Sequence, residues 1–484
     1  MKLAESRLPR IHLFFWTTVA VLSASATVRY VDLNSVNPIA PYTDWSTAAT
    51  NINDAIDAAD PGDQILVTNG VYATGGRTVN GSPLTNRVAV NKPLTVQSVN
   101  GPSVTIIEGY QLPGTTNGDG AVRCVYLTTN SVLAGFTLTN GATLESGPSE
   151  TIGGGVLCES GSSLVSDCLF VGNAAVGNGG GAWGGSFKRC RFVNNTSFSF
   201  GGGLQLIADG MAANCLIISN SAFIAGGVNN GRLTNCTVCF NSSITGTAGA
   251  SSVSQAANCI IYYNSAQSPG ANVNVSGFFS GCCTVPTLDS PVPLFSPGVS
   301  FTNAPMFMDP AAGDFRLQSS SPCINSGFNG YAPESVDLEG NPRIIGGYVD
   351  VGAYENTTPS TALPAMWLVQ FGLPADGSAD YVDSDGDGMN NWSEWISRTV
   401  PTNASSLLRI RSLTNSSVAG LLLRWDAVQG RVYWIERSAG LDSQSPFAVL
   451  ATNLQAFLTA TMSYTDSTAT NTGPYFYRVG VVQR

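Results

Sequence analysis

Histidine is nearly absent: among 484 residues the only one is His12. It sits in a stretch where Lys2, Arg7 and Arg10 precede the apolar run Leu13 to Leu22 and Ala24-Ser25-Ala26 closes it. A basic start, a short apolar run and a small-residue site read as a secretory signal peptide over residues 1–26, too short for a stable membrane span. The mature chain then carries no imidazole, which excludes Ser-His-Asp and Cys-His catalysis and histidine metal ligation. Charge is also scarce, at 11% of residues, with 22 Lys+Arg against 32 Asp+Glu and a net charge of −10. Phosphate binding needs clustered Lys and Arg, so nucleic acid is excluded as a partner. Between Leu169 and Leu288 there is a single carboxylate, Asp209. A glycoside hydrolase needs two flanking carboxylates, and a cation-assisted lyase needs an acidic cluster plus a base. The middle of the chain can supply neither.

What is abundant is glycine, at 53 residues, and a repeat. DCLFVGN from Asp167, RCRFVNN from Arg189, NCLIISN from Asn214, NCTVCFN from Asn235 and NCIIYYN from Asn258 lie over one another. Each places a cysteine (168, 190, 215, 236, 259) five residues before an asparagine (173, 195, 220, 241, 264), with alternating apolar residues between. The cysteines recur at 22, 25, 21 and 23 residues, with glycine clusters between the strands. One short strand per repeat at such a period predicts a solenoid that winds one coil per repeat. Cysteines and the alternate apolar residues then stack inward, and asparagine amides stack about 4.8 Å apart. The run from Gly135 to Asn140 keeps the spacing, with Gly135 in the cysteine slot.

This pattern resembles the right-handed parallel β-helix of the pectin lyase-like superfamily. INDAIDAADPGDQILVTNGVY, from Ile52, is similar to a motif common near the start of such proteins, with an amphipathic helix in Ser46 to Ala59 as its cap. The resemblance implies a carbohydrate-related protein, either an enzyme on an acidic polysaccharide or a binding protein. The acids available to a site lie on the N-terminal side: Glu108, Asp119, Glu145, Glu150 and Glu159, with Arg123. They converge only if the excursion Gly141 to Ile152 folds over the coil face. Catalytic residues cannot be assigned from the sequence.

Eleven cysteines include six outside the repeat, at 124, 158, 239, 282, 283 and 323, and the odd total leaves at least one thiol free or paired between chains. Residues 307–355, with FMDPAAGDFRLQSSSPCINSG, DLEGNPRI and DVGAYE, resemble the choice-of-anchor Q domain and are expected to form a terminal coil and cap. Asp314, Arg316, Arg343 and Asp350 are read there as pins for loops. A polar linker, 356–366, follows.

Asp383 to Glu394, DSDGDGMNNWSE, fits D-x-D-x-D-G-x5-E. Calcium takes six to eight hard oxygens, and this spacing offers the side chains of Asp383, Asp385, Asp387, Asn391 and Glu394 with the Met389 carbonyl. The loop resembles those of EF-hands, dockerins and thrombospondin type 3 repeats, in a short helical segment 367–403, and is read as a structural calcium clip. Residues 404–484 alternate in six or seven short runs separated by Gly, Asn, Ser and Pro, which predicts a small β-sandwich. The expected architecture is all-β: a right-handed parallel β-helix over 27–306 with this sandwich behind it. The expected protein is secreted or surface-bound and monomeric, not an integral membrane protein, and binds polysaccharide or surface glycan without catalysis. The alternative is a polysaccharide lyase or glycoside hydrolase.

Overall fold

The structure, a computed structural model, describes residues 26–267, 271–274, 277–285, 300–415, 420–441, 446–470 and 473–482. The signal-peptide reading of residues 1–26 lies, but for Ala26, outside them. Among the described residues the chain winds a right-handed parallel β-helix with four sheets. One coil shows the scheme: Leu164–Ser166 in sheet A, Leu169–Val171 in sheet B, Ala174–Ala175 in sheet C, then Ala182–Trp183 in sheet D. Sheet A runs over ten strands, B over nine, C over five and D over seven among the described residues. No helix among them is long and apolar enough to cross a membrane.

A single left-handed residue turns the chain from sheet A to sheet B, at Asp167, Arg189, Asn214, Asn235 and Asn258, with φ between 50° and 55°. Short polar residues tolerate that region. Arg189 is held there by a two-pronged bond to Asp167, at 2.7 and 2.9 Å. The next residue is the cysteine, which points inward and is buried in every coil. Register corrects the expected slots one coil earlier. Thr137 pairs with Leu169, so Phe136, not Gly135, faces Cys168. Gly135 supplies the left-handed turn, with φ 80°, and Gly141 rather than Asn140 lies level with Asn173. Cys282, left unassigned by the sequence, continues the cysteine column, since Cys283 pairs with Ile260. All eleven cysteines are buried free thiols.

The asparagines form a continuous ladder. Nδ2 of Asn173 donates to Oδ1 of Asn195 at 2.9 Å, Asn195 to Asn220 at 2.9 Å, Asn220 to Asn241 at 3.0 Å and Asn241 to Asn264 at 2.9 Å. Each Oδ1 also accepts the backbone N–H of the asparagine one coil before. The ladder closes on Asn272, which accepts from Asn264 at 3.1 Å. The glycine clusters serve two needs between sheets C and D. Gly201 takes φ 68°, and at Gly202 a Cβ would stand 2.3 Å from the Ser221 carbonyl of the next coil. Only glycine lets the coils approach that closely.

The N-terminal end is capped by helix α1 (Ile52–Ala58), shorter than expected, which buries Ile52, Ala55 and Ile56 in the coil interior. Residues 307–355 do not extend the stack as a terminal coil and cap. They lie along the outer face of sheet B, where Leu216, Ile218, Cys239 and Ile260 pack against Phe315, Cys323, Ile324 and Val351. The backbone N–H groups of Gly352 and Ala353 donate to the Asn258 carbonyl and the Thr237 hydroxyl. Glu334 reaches Lys188 at 2.8 Å. Residues 356–366 are anchored too, because Asp380 accepts from the Thr361 hydroxyl at 2.6 Å and Leu363 is fully buried. Helices α2 (Ala365–Gln370) and α3 (Asn391–Ser397) flank the acidic loop. Two three-stranded antiparallel sheets then form the C-terminal sandwich, with Trp425 and Tyr433 buried in its core.

Two expectations follow from these networks. The Asn220 side chain is fully buried and makes four hydrogen bonds. Asn220→Ala is expected to cost about 2 to 3 kcal/mol, because it strands polar groups on both neighbouring coils, and an unchanged denaturation midpoint contradicts this. In the flanking segment, Arg343, Asp350 and Glu355 share a buried network in which burial pushes both carboxyls well above their usual range. The native segment therefore holds protons that the unfolded chain, titrating near pH 4, has released. Its stability is full below that range and falls as pH rises through the raised values. Denaturant midpoints measured from pH 5 to pH 9 should decline, and Glu355→Gln should flatten the slope.

Candidate functional site

Two places gather polar side chains in a way that packing alone does not require. The first is a groove of about 730 Å³ on the outer face of sheet D. Its floor is set by register: Tyr126 pairs with Leu157 and Leu157 with Trp183, on three successive coils. Residues 79–82 form one wall and the excursion, at Pro148 to Ile152, forms the other. Arg123 holds the excursion in place. It is fully buried, and it donates to the carbonyls of Gly153 (2.9 Å), Ser149 (2.6 Å) and Ile152 (2.9 Å) and to Asn86 Oδ1 (2.8 Å). Burial lowers its pKa to about 10, and its donors are all turned to protein acceptors or backbone.

Of the acids singled out from the sequence, Glu150 and Glu159 face this groove, whereas Glu108, Asp119 and Glu145 do not line it. Glu108 accepts from the Asn140 amide at 2.8 Å instead. Glu159 accepts from the Tyr126 hydroxyl, from Thr128 at 2.8 Å and from Asn80 at 3.4 Å. Burial, and then the Glu159 bond, push the Tyr126 phenol up. Glu150 is held below its usual range by Ser82 and by backbone N–H groups, despite burial. It is ionised at neutral pH. Tyr126, Leu157 and Trp183 were not foreseen, because they share no motif and are brought together only by the register of the coils.

The second place is the acidic loop. The side chains of Asp383, Asp385 and Asp387 put carboxylate oxygens within 4.8 Å of one another. Asp383 accepts the N–H groups of Gly386 and Gly388, at 2.8 and 2.9 Å. Glu394, from helix α3, is fully buried, and burial followed by the charges of Asp385 and Asp387 pushes its pKa up to about 8. Asn391 donates to the Ala379 carbonyl and the Ser384 hydroxyl, which turns its Oδ1 away from those groups. Four buried oxygens, Asp385 Oδ2, Asp387 Oδ2, Asn391 Oδ1 and Glu394 Oε2, have no donor at all. Buried acceptors in that condition are costly, and a hard cation relieves four of them at once. The residues thus fit such a cation. Met389 N–H donates to Asp387, and its sulfur accepts from Leu408 N–H at 3.4 Å, linking the loop to the sandwich.

No protein-family model matches the chain, and no curated protein matches it. Similar solved structures include pectin methylesterase PemA from Erwinia chrysanthemi, at 12% identity and TM-score 0.24, covering 53% of this chain and 82% of that one. Another is a pectin methylesterase in complex with hexasaccharide VII, at 12% identity and TM-score 0.26, covering 61% and 99%. The fold assignment rests on the strand pairings themselves.

Proposed function

We propose that this is a secreted or cell-surface, monomeric protein that binds polysaccharide in the groove on sheet D without cleaving it. The observation that carries this reading is the groove floor, where Trp183 is half-buried beside the buried Tyr126 and Leu157, rimmed by Asn80, Ser82, Glu150 and Glu159. Aromatic faces with a polar rim are the usual means of gripping a sugar ring, apolar on its faces and hydroxylated at its edge. Surface exposure is supported by the likeness of 307–355 to the choice-of-anchor Q segment. The enzyme reading has one observation in its favour, two carboxylates on one groove. Against it, acid-assisted glycoside cleavage needs a carboxyl that keeps its proton, and Glu150 is shifted the other way. A glycan array run beside a reducing-end assay tests both. Binding is expected, at least tenfold weaker in Tyr126→Ala/Trp183→Ala, with no product released. Product that disappears in Glu150→Gln or Glu159→Gln overturns the non-catalytic reading.

Calcium at Asp383, Asp385, Asp387, Met389, Asn391 and Glu394 is proposed as a structural clip between the β-helix flank and the sandwich. The unpartnered oxygens of the loop support it. A secreted protein can use a site on the order of 10⁻⁴ to 10⁻³ M, since extracellular modules bind in that range. Chelation is expected to open residues 367–403 to proteases while leaving the β-helix intact, and Asp383→Ala/Glu394→Ala should reproduce that at any calcium level. Identical digestion with and without chelator, or no heat of calcium binding in calorimetry, contradicts the clip.

A further inference from the structure

Between the calcium segment and the sandwich lies a cavity of about 470 Å³ that neither the groove nor the acidic loop uses. Its surroundings are basic, although the chain carries a net charge of −10. Arg398 lines it, and Asp426 at its rim is shared by Arg409 and Arg411, at 3.5 and 2.7 Å. One carboxylate therefore meets two guanidiniums, neither of them Arg398 or Arg431. Arg431 is a close neighbour of Arg398, and neither forms an ion pair among the described residues. Their hydrogen bonds run to uncharged carbonyls, Arg398 Nη1 to Gln429 at 3.2 Å and Arg431 Nη2 to Trp395 at 3.1 Å. The Nε of each is buried without an acceptor. Burial lowers both guanidiniums below their usual range, and the Arg398 charge lowers Arg431 further.

The hydroxyls on the cavity wall are poised the same way. Ser406 Oγ accepts the Val400 N–H at 2.9 Å, and Thr459 Oγ1 accepts the Gln429 N–H at 3.1 Å. With its lone pair engaged, each hydroxyl keeps its own proton for another acceptor. Two neighbouring cations without a counter-ion, beside spare O–H donors, form an incomplete electrostatic arrangement. An anion with several oxygens completes it, because guanidinium forks match such groups.

We propose that this cavity binds an oxyanion, a carboxylate, sulfate or phosphate group, with Arg398, Ser406 and Thr459 as donors and Arg431 supplying the second positive charge. The proposal is independent of the groove reading. The group is either a free inorganic ion or an acidic substituent of a glycan, and one experiment separates them. The full chain, with calcium present, is titrated with sodium sulfate, sodium phosphate and a sulfated or carboxylated oligosaccharide against sodium chloride at equal ionic strength. Calorimetry and the melting of the sandwich are read together. A saturable response to sulfate or phosphate beyond that to chloride is expected, weakened at least tenfold in Arg398→Gln and in Arg431→Gln. Arg431→Gln should also melt higher than wild type in sulfate-free buffer, because the repulsion is removed. Thr459→Val, which keeps both charges, should weaken binding several-fold and guards against a folding defect in the arginine variants. Tighter binding of the acidic oligosaccharide than of the free ions, lost in the same variants, identifies a glycan substituent, and equal binding identifies the free ion. Identical titrations for sulfate, phosphate, oligosaccharide and chloride, in wild type and variants alike, overturn the site.

Discussion

Parallel pairing in strict register is the constraint on which the rest of this molecule depends. A residue that recurs once per coil becomes a column, so a buried amide that would be costly alone finds a donor on one side and an acceptor on the other. The same stacking brings backbone within 2.3 Å of where a Cβ would stand at Gly202, which removes every residue but glycine from that corner. It also lets a single left-handed residue per coil set the direction of the next strand. The thiols fill the inner corner because they are small and tolerate complete burial. With every described cysteine reduced and inaccessible, cohesion comes from stacking and not from cross-links.

How much of this could be read from the chain depended on whether the information was local. The repeat announced itself because each column asks for one residue type at one spacing. The acidic loop was legible for the same reason: its acidic side chains lie within 12 residues of sequence. The slip at Gly135 and Asn140 shows where spacing fails, since the turn position before the cysteine and the position before the asparagine are also five residues apart. The position of 307–355 does have a signal in the sequence of the coils. Strands that carry Leu216, Ile218, Cys239 and Ile260 are apolar at outward as well as inward positions, which is the mark of a sheet covered on both faces.

The groove and the basic cavity were least legible. Tyr126, Leu157 and Trp183 lie 31 and 26 residues apart and resemble one another in nothing but the face they occupy. Arg398 and Arg431 belong to different units and meet only where the sandwich docks on the segment before it. Sites assembled across coils or across a seam leave no periodic trace, because the side chains are chosen for what they face in space.

The segment laid along sheet B changes how the solenoid comes apart. A bare stack of coils is nearly one-dimensional, and each coil can open at the expense of its two neighbours alone. Here one strap touches coils from Lys188 and Asn214 to Thr237, Asn258 and Cys283. It acts as a splint: opening any one of these coils also strips the contacts of the strap from all the others. The splinted coils become a single cooperative block, whereas the coils from Gln64 to Leu127, which lie outside its reach, answer only to their immediate neighbours. The molecule is thus a rod of two stiffnesses, with the groove starting on the unsplinted coils and ending at Trp183, just before the first splinted contact at Lys188.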